Sequence, residues 1–508
     1  MKRALISVTD KSNIDFLARE LKNLDYEIIS TGGTLDTILK SGVEAVSIED
    51  VTGFPQMLDG RVKTLHPMVH GALLYKRDNE AHVDTINKYN IKPIDIVVVN
   101  LYDFEGTLKS GKAHEEIIEN IDIGGPSMIR SAAKNYKDVI VVVDPKDYEE
   151  IIERLKNNSL NLEFREKLAM KAYSATAYYD SMIARYFMKK TGEEADTFTL
   201  GLKKVEDLRY GENPHQKAAV YDDSFTDSYF SYYKQINGKE LSFNNLNDLN
   251  TAVELCAEFA AKKGEHAAIA LKHATPCGAA LGKSTYEAFK KTYEADKLSI
   301  FGGIVALNST VCKQTAELMS EIFLEVIAAP SYTDEALEIL KQKKNLRLLI
   351  IDFEAKKSEM DLKYVSVKVL IQNTDTIKDN KFDCVTQKTP CEKETEDLRF
   401  AMKICKYVKS NAIVIAKDTT TVAIGGGQTS RIWALDTALN NYAEKNFNGC
   451  VMASDAFFPF PDCVKKAGEA GISAIIQPGG AMRDEESIKA CNEEHIAMVF
   501  TGSRHFRH

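Results

Sequence analysis

The chain has 508 residues, 44% hydrophobic and 27% charged. This composition excludes a disordered or fibrous protein and leaves room for roughly three domains of about 150 residues. Lys and Arg total 65 against 74 Asp and Glu, a net charge of −9, which argues against sequence-independent nucleic-acid binding. No apolar run approaches the ~20 residues that span a bilayer, and the stretch after Lys2-Arg3 is too short for a signal-peptide core. The nine cysteines lie between Cys256 and Cys491 with no Cys-x-x-Cys spacing. Reduced thiols, a cytoplasmic location and no structural zinc are therefore expected.

In chain order, Arg3–Val8 reads as a strand and Asp10 as a helix cap. Phe16, Leu17, Leu21 and Leu24 follow at helical spacing. Tyr26–Ser30 is a second strand, and Thr31-Gly32-Gly33-Thr34 turns into a second helix. The apolar runs 94–99 and 139–143 suit strands buried on both faces of a parallel sheet. Repeated βα units of this kind predict a doubly wound α/β domain. Residues 150–190 read as helical throughout, and a boundary is expected near 191–205. Two polar motifs, RYGENPHQ (209–216) and LSFNNLND (241–248), then precede helices and short strands. A second break is expected at 355–398, followed by a helix at 396–409 and strands at 412–416 and 421–425. The stretches 200–355 and 396–508 are candidates for a structural duplication that the residues themselves do not establish.

Several motifs carry chemistry. Ser30-Thr31-Gly32-Gly33-Thr34 opens a helix after a strand, which suits either a phosphate cradle or a plain turn. Ser7-Val8-Thr9-Asp10-Lys11 stands at the carboxyl end of the first strand, where α/β sheets bind ligands. Gly60-Arg61-Val62-Lys63-Thr64-Leu65-His66-Pro67 gathers two cations, a hydroxyl and an imidazole; its bland alternative is a solvated basic loop. Asn100-Leu101-Tyr102 ends an apolar strand, and Asp122-Ile123-Gly124-Gly125 opens a helix that carries Lys134. Farther on, Lys272-His273 ends the strand before Thr275-Pro276-Cys277-Gly278. Histidine carries protons near neutral pH, and an adjacent ammonium favours the neutral imidazole that a base needs. The segment also approaches the zinc deaminase pattern H-x-E…P-C-x-x-C, but Thr275 replaces Glu and Ala280 the second Cys. Asn411 is a turn residue or an oxyanion donor. Arg431 follows Gly425-Gly426-Gly427-Gln428-Thr429-Ser430 and suits a phosphate or carboxylate. Ser454-Asp455-Ala456-Phe457-Phe458-Pro459-Phe460 packs a core or clamps a flat ring.

In this order, SVTDK, STGGT, RVKTLHP, IDIGG, RYGENPHQ, LKHxxPCG, SNAI, GGGQxSR, SDAFFPF and the terminal RHFRH resemble the bifunctional AICAR formyltransferase / IMP cyclohydrolase family, over essentially the whole chain. The resemblance implies a methylglyoxal-synthase-like cyclohydrolase domain over 1–195. It implies two cytidine-deaminase-like lobes lacking zinc, over 196–360 and 361–508, that form the transferase. The family uses 10-formyltetrahydrofolate as co-substrate with AICAR, formyl-AICAR and IMP. It is a homodimer with transferase sites at the interface, with no nucleic-acid or membrane partner, and the resemblance leaves a potassium ion open.

By the same resemblance, Ser7, Thr9, Lys11, Ser30, Thr31, Gly32, Gly33, Thr34, Arg61, Thr64, Asn100, Gly124 and Gly125 hold the cyclohydrolase nucleotide. Lys63, Tyr102, Asp122 and Lys134 match its catalytic cluster. In the transferase, Lys272 and His273 match the catalytic pair and Asn411 the oxyanion donor. Arg209, Tyr210 and Arg431 match the phosphate site, and His215 and Asn245 nucleotide contacts. Glu325, Asp455, Phe457 and Phe460 match substrate or pterin positions. The chain departs from the family pattern at Asp103, where Pro is usual, at Thr275, where Asn is common, and at 365–373, which lacks paired glycines.

Overall fold

Five short apolar strands organise the N-terminal part: Lys2–Val8 (β1), Tyr26–Ser30 (β2), Val46–Ser47 (β3), Ile96–Asn100 (β4) and Ile140–Val142 (β5). In the computed structural model they form one sheet in the order β3-β2-β1-β4-β5, with every neighbouring pair parallel. Residues such as Leu5, Ile6, Val97 and Val98 are fully buried because helices cover both faces. This is the doubly wound domain expected from the runs 94–99 and 139–143. The strand order reverses beside β1, so the crevice outside the carboxyl ends of β1 and β4 is the topological switch point. The structure describes residues 2–225, 228, 233–259, 264–354, 358–377 and 381–508. Among these, no helix is long and apolar enough to cross a membrane.

The chain divides into two compact units, Met1–Lys203 with Asp222–Phe225, and Lys204–Tyr221 with Thr226–His508. The single helical stretch expected over 150–190 is two helices, Tyr148–Lys156 and Leu162–Thr191. Asn158 interrupts them at φ 49°, and the Asn161 side chain caps the second by accepting from the Phe164 N–H at 2.9 Å. The helix expected at 396–409 runs instead from Glu392 to Cys405, because Cys391 and Glu394 form a capping box.

Glu105 anchors the end of the first unit. Its carboxylate accepts from Tyr178 Oη at 2.8 Å, Lys203 Nζ at 2.5 Å and Lys109 Nζ at 3.0 Å. Burial pushes its pKa up, but these three partners outweigh burial and hold it at about 2, below the ordinary 4.5. The folded pKa lies below the unfolded one, so this stabilisation is complete above about pH 4.5 and fades as pH falls toward 2. Glu105→Gln is expected to cost about 2 kcal/mol at pH 7, a loss of roughly 5 °C in the thermal midpoint. The gap between variant and wild type should close in scans at falling pH; a gap independent of pH would refute this account.

The second unit is built on one twelve-stranded sheet with an internal repeat. In the first half, the hairpin His266–Lys272/Thr275–Gly282 is followed by Gly303–Leu307, Leu324–Ala329 and Arg347–Ile350, and Lys234–Asn237 closes the edge antiparallel. The second half repeats this scheme with the hairpin Ile413–Lys417/Thr420–Gly425, then Val451–Ser454, Ala474–Gln477 and Ala497–Phe500, closed by Asp383–Cys384. The duplication that the residues left open is therefore present in the topology. The halves join where Ala280 pairs with Thr420. One sheet face has a single core shared by both halves, under the helices Phe243–Ala257 and Glu392–Cys405, while the opposite face carries two separate cores.

The segment 365–373 belongs to a separate hairpin, Met360–Val365 with Lys368–Asn373. Ser366 takes the left-handed φ of 58° at its two-residue turn, the work a glycine would otherwise do. Tyr364, Val367 and Leu370 on this hairpin are 78%, 94% and 55% exposed.

Candidate active sites in the two units

In the first unit, a cavity of 990 Å³ opens at the switch point, lined by Ser7, Thr9, Lys11, Thr31, Gly33, Thr34, Arg61, Lys63, Thr64, Asn100, Tyr102, Asp122, Gly124 and Gly125. The walls are tied together. Asn100 Oδ1 accepts from the N–H groups of Thr9 (2.6 Å) and Asp10 (2.8 Å), which fixes the loop after β1. Ser7 Oγ and Thr31 Oγ1 lie 2.9 Å apart, and Thr34 Oγ1 bonds both N–H and C=O of Val8. The loop carrying Lys63 and Thr64 meets the N-terminus of the helix Gly124–Lys134. A side chain at Gly124 would collide with the Thr64 hydroxyl, and one at Gly125 with the Asp122 carboxylate. The start of the helix Gly32–Lys40, with Lys63 Nζ beside Gly32, suits an anion, whereas at Gly124–Lys134 the Gly125 N–H is taken by Asp122 and Pro126 has none. Arg61 pairs with Glu119 across the solvated rim, a weak bond from which it can be released.

Asp122 accepts from the N–H groups of Gly125 (2.8 Å) and Tyr102. Burial raises its pKa against those two bonds and the Lys63 charge. Burial also raises that of Tyr102, and the Asp122 charge adds to it, so the phenol stays protonated at neutral pH. A half-buried carboxylate, a protonated phenol and the Lys63 side chain thus share one wall.

Three of the residues expected in this unit are not among those that line the cavity. Ser30 is fully buried, and its hydroxyl donates to the Ile6 carbonyl at 2.8 Å, so it staples β2 to β1 behind the cavity. Gly32 is not in the wall, but Lys63 Nζ packs against it. Lys134 is the last residue of the eleven-residue helix Gly124–Lys134, of which Gly124, Gly125 and Met128 line the cavity. Residues not anticipated from the sequence include Thr107 and Ser110 in the wall. The helix Phe104–Lys109 brings Thr107 there, and Asp103 caps that helix by accepting from the Gly106 N–H at 2.9 Å. Tyr179 was missed too: it accepts from the Asp122 N–H at 2.8 Å and donates to the Asn120 carbonyl. It lies 57 residues from Asp122, so no local pattern announces it.

In the second unit, strand register gathers the expected residues at one end of the sheet. The turn of the first hairpin holds His273 and Ala274 at φ 52° and 54°. The strand Thr420–Gly425 runs antiparallel to Thr275–Gly282 and brings Gly425 to the level of that turn, and Gly425 pairs with Ile413. Asn411 therefore enters the sheet two strand spacings away, about 10 Å. Ile413 pairs with Ser454, so the loop bearing Asp455, Phe457 and Phe460 leaves from the same end, with Phe457 and Phe460 exposed. Lys272 Nζ donates to the Phe301 carbonyl, and the exposed rings of Phe301 and Phe323 stand 5.3 Å apart beside it, a pair not anticipated from the sequence. Glu325 on the neighbouring strand pairs with Arg347 at 2.6 Å.

The Asn411 amide has a defined orientation. Arg431 is a pure donor and bonds Asn411 Oδ1 at 2.7 Å, so Nδ2 faces the Gln428 carbonyl at 2.8 Å and keeps one N–H for a ligand. Arg431 itself is buried and ion-paired to the fully buried Asp455, which also accepts from Ser410 Oγ at 2.5 Å and the Ala412 N–H at 3.1 Å. Arg431 and Asp455 together brace Asn411, and the Arg431 Nε is left without a partner. Asn245 is likewise engaged in a capping box with Ser242 and is buried. Arg209 and His215 are exposed, with the Arg209 guanidinium over the Tyr210 ring, and Asn244 ties their loop to the helix Phe243–Ala257 through the Glu212 carbonyl. Among the described residues, no group of three or more His, Cys, Asp or Glu side chains is arranged to hold a metal ion.

Comparison with known proteins agrees with this two-site architecture. A family profile described as MGS-like domain matches residues 13–127, and one described as AICARFT/IMPCHase bienzyme matches residues 132–441. A bifunctional purine biosynthesis protein PurH of Clostridioides difficile is 55% identical over 509 residues and that of a Thermoanaerobacter species 52% over 512, each covering all of both chains. The corresponding protein of Oceanobacillus iheyensis is 50% identical over 513 residues, again end to end. With a switch-point cavity in one unit, a duplicated sheet in the other and full-length identity at this level, the chain belongs to the AICARFT/IMPCHase bienzyme family, the bifunctional enzymes of purine biosynthesis that join AICAR formyltransferase to IMP cyclohydrolase.

Proposed function

We propose that the two reactions are divided between the two units: formyl transfer at the Lys272–His273 end of the duplicated sheet and ring closure in the switch-point cavity. The single observation that carries this reading is the separation of the two sets of chemical groups, one in each unit. In the transfer, the amine of AICAR attacks the formyl carbon of 10-formyltetrahydrofolate. His273 accepts the amine proton, the Asn411 N–H holds the developing oxyanion, and Lys272 protonates the departing folate nitrogen. In the closure, the carboxamide nitrogen of formyl-AICAR attacks the formyl carbon and water leaves. Asp122 orients or accepts the amide proton, and Lys63 and Tyr102 supply protons to the departing oxygen. The helix start at Gly32-Gly33, with Lys11, Arg61 and Thr64, suits the nucleotide phosphate and ribose.

A homodimer is part of this reading. It is supported by the exposed apolar hairpin at Met360–Asn373, which a second copy would cover, since an isolated two-stranded hairpin is marginal in water. Purified chain supplied with AICAR and 10-formyltetrahydrofolate is expected to release tetrahydrofolate and IMP in equal amounts, and to sediment as a dimer. Folate release without IMP, or neither product, would overturn the assignment of two reactions to this chain.

A further inference from the structure

The internal repeat allows each residue near the transferase turn to be compared with a counterpart in the other half. Lys272 ends its strand and donates to the carbonyl before Gly302, whose φ is 70°; Lys417 ends the corresponding strand and donates at 2.8 Å to the carbonyl before Gly449, φ 69°. The two-residue turns also correspond. His273 and Ala274 have φ 52° and 54°, and Asp418 and Thr419 have 53° and 49°.

Each left-handed turn is gripped by a carboxylate from the helix beneath it. Asp248, on Phe243–Ala257, accepts from the His273 N–H at 3.1 Å and from the Ala274 N–H. Asp397, on Glu392–Cys405, accepts from the Asp418 N–H at 3.0 Å and the Thr419 N–H at 2.6 Å. The grip is thus common to both halves, and what differs is the side chain it presents. In one half that is an imidazole; in the other it is Asp418, paired with Lys393. A carboxylate beside Asp418 stands next to a group of like charge, whereas a carboxylate beside His273 stands next to a group that becomes cationic when it takes a proton.

We propose that Asp248 is a positioning residue of the formyl-transfer centre, which both fixes the His273 turn and lays a negative charge beside the imidazole as it accepts the amine proton. This rests on the reading that His273 carries the transfer. The other charged groups at this turn are Lys272 on the hairpin and Lys409, near enough to Asp248 to oppose the upward push of burial on its carboxyl.

The test compares Asp248→Asn with Asp397→Asn in the full chain. Both keep the shape of the gripping side chain and remove its charge, so a merely structural role predicts equal effects. The proposal predicts that Asp248→Asn lowers kcat for formyl transfer about tenfold, with KM for AICAR changed less than about twofold. It also predicts that the acidic limb of the pH–rate profile moves to lower pH by about half a unit or more. Asp397→Asn should leave kcat and the limb unchanged, and Asp248→Glu, which retains the charge, should restore the wild-type limb. Ring closure of supplied formyl-AICAR checks that each variant is folded. An unmoved limb in Asp248→Asn, or the same shift in both Asn variants, overturns the proposal. Retained transfer in His273→Ala overturns the underlying assignment instead, and the proposal with it.

Discussion

Replacing His273 by alanine is expected to abolish formyl transfer while leaving ring closure intact. The amine of AICAR is a weak nucleophile, and attack on the formyl carbon develops positive charge on nitrogen that must leave as a proton. Lys272 is a donor-only group already engaged with the Phe301 carbonyl. Asn411 offers one N–H, and Arg431 is a donor-only group paired with Asp455 and Asn411. Of the side chains expected at this end of the sheet, the His273 imidazole is the one suited to take that proton near neutral pH. Losing a general base costs about 10²- to 10⁴-fold. Tetrahydrofolate release by His273→Ala should fall by about a thousandfold, while formyl-AICAR supplied directly should still become IMP at the wild-type rate. A parallel fall in both assays would mean that the reactions do not occupy separate units.

Asp122→Asn is expected to give the converse result, a loss of about 10²- to 10³-fold in ring closure with formyl transfer untouched. The amide side chain can still accept from the Gly125 N–H, so the helix start stays in place, but the charged acceptor is gone. Burial raises the Asp122 pKa, and the group acts as a carboxylate. Wild-type ring closure should therefore fall with decreasing pH through a limb above the ordinary carboxylate range, and that limb should vanish in Asp122→Asn. Lys134→Ala tests the fourth member of the cluster that the family resemblance names: a loss of comparable size in ring closure places Lys134 in the reaction, and a change below about threefold removes it.

Much of this was legible from local pattern. The runs 94–99 and 139–143 announce strands buried on both faces, because a covered parallel sheet needs no alternation. The motifs at 7–11, 60–67 and 122–125 announce a cavity wall, because glycines and small polar residues after strands have few other uses in such number. Local pattern does not say which of these residues line the cavity: Ser30 donates to the Ile6 carbonyl because a strand alternates its faces, and Lys134 ends a helix whose first turns line the cavity. Nor does it announce the Arg431–Asp455 pair, whose members stand 24 residues apart and are brought together by strand pairing.

By itself, the sequence determined the α/β class of the first unit, the chemical inventory of both sites and the family, since these rest on residue identity, spacing and local propensity. Tertiary structure decided which of those residues line the cavity and which hold the others in place. It also decided that the second unit is a duplicated sheet whose halves grip corresponding turns with Asp248 and Asp397. Register and long-range hydrogen bonds join residues tens to hundreds of positions apart, and no local pattern encodes that distance.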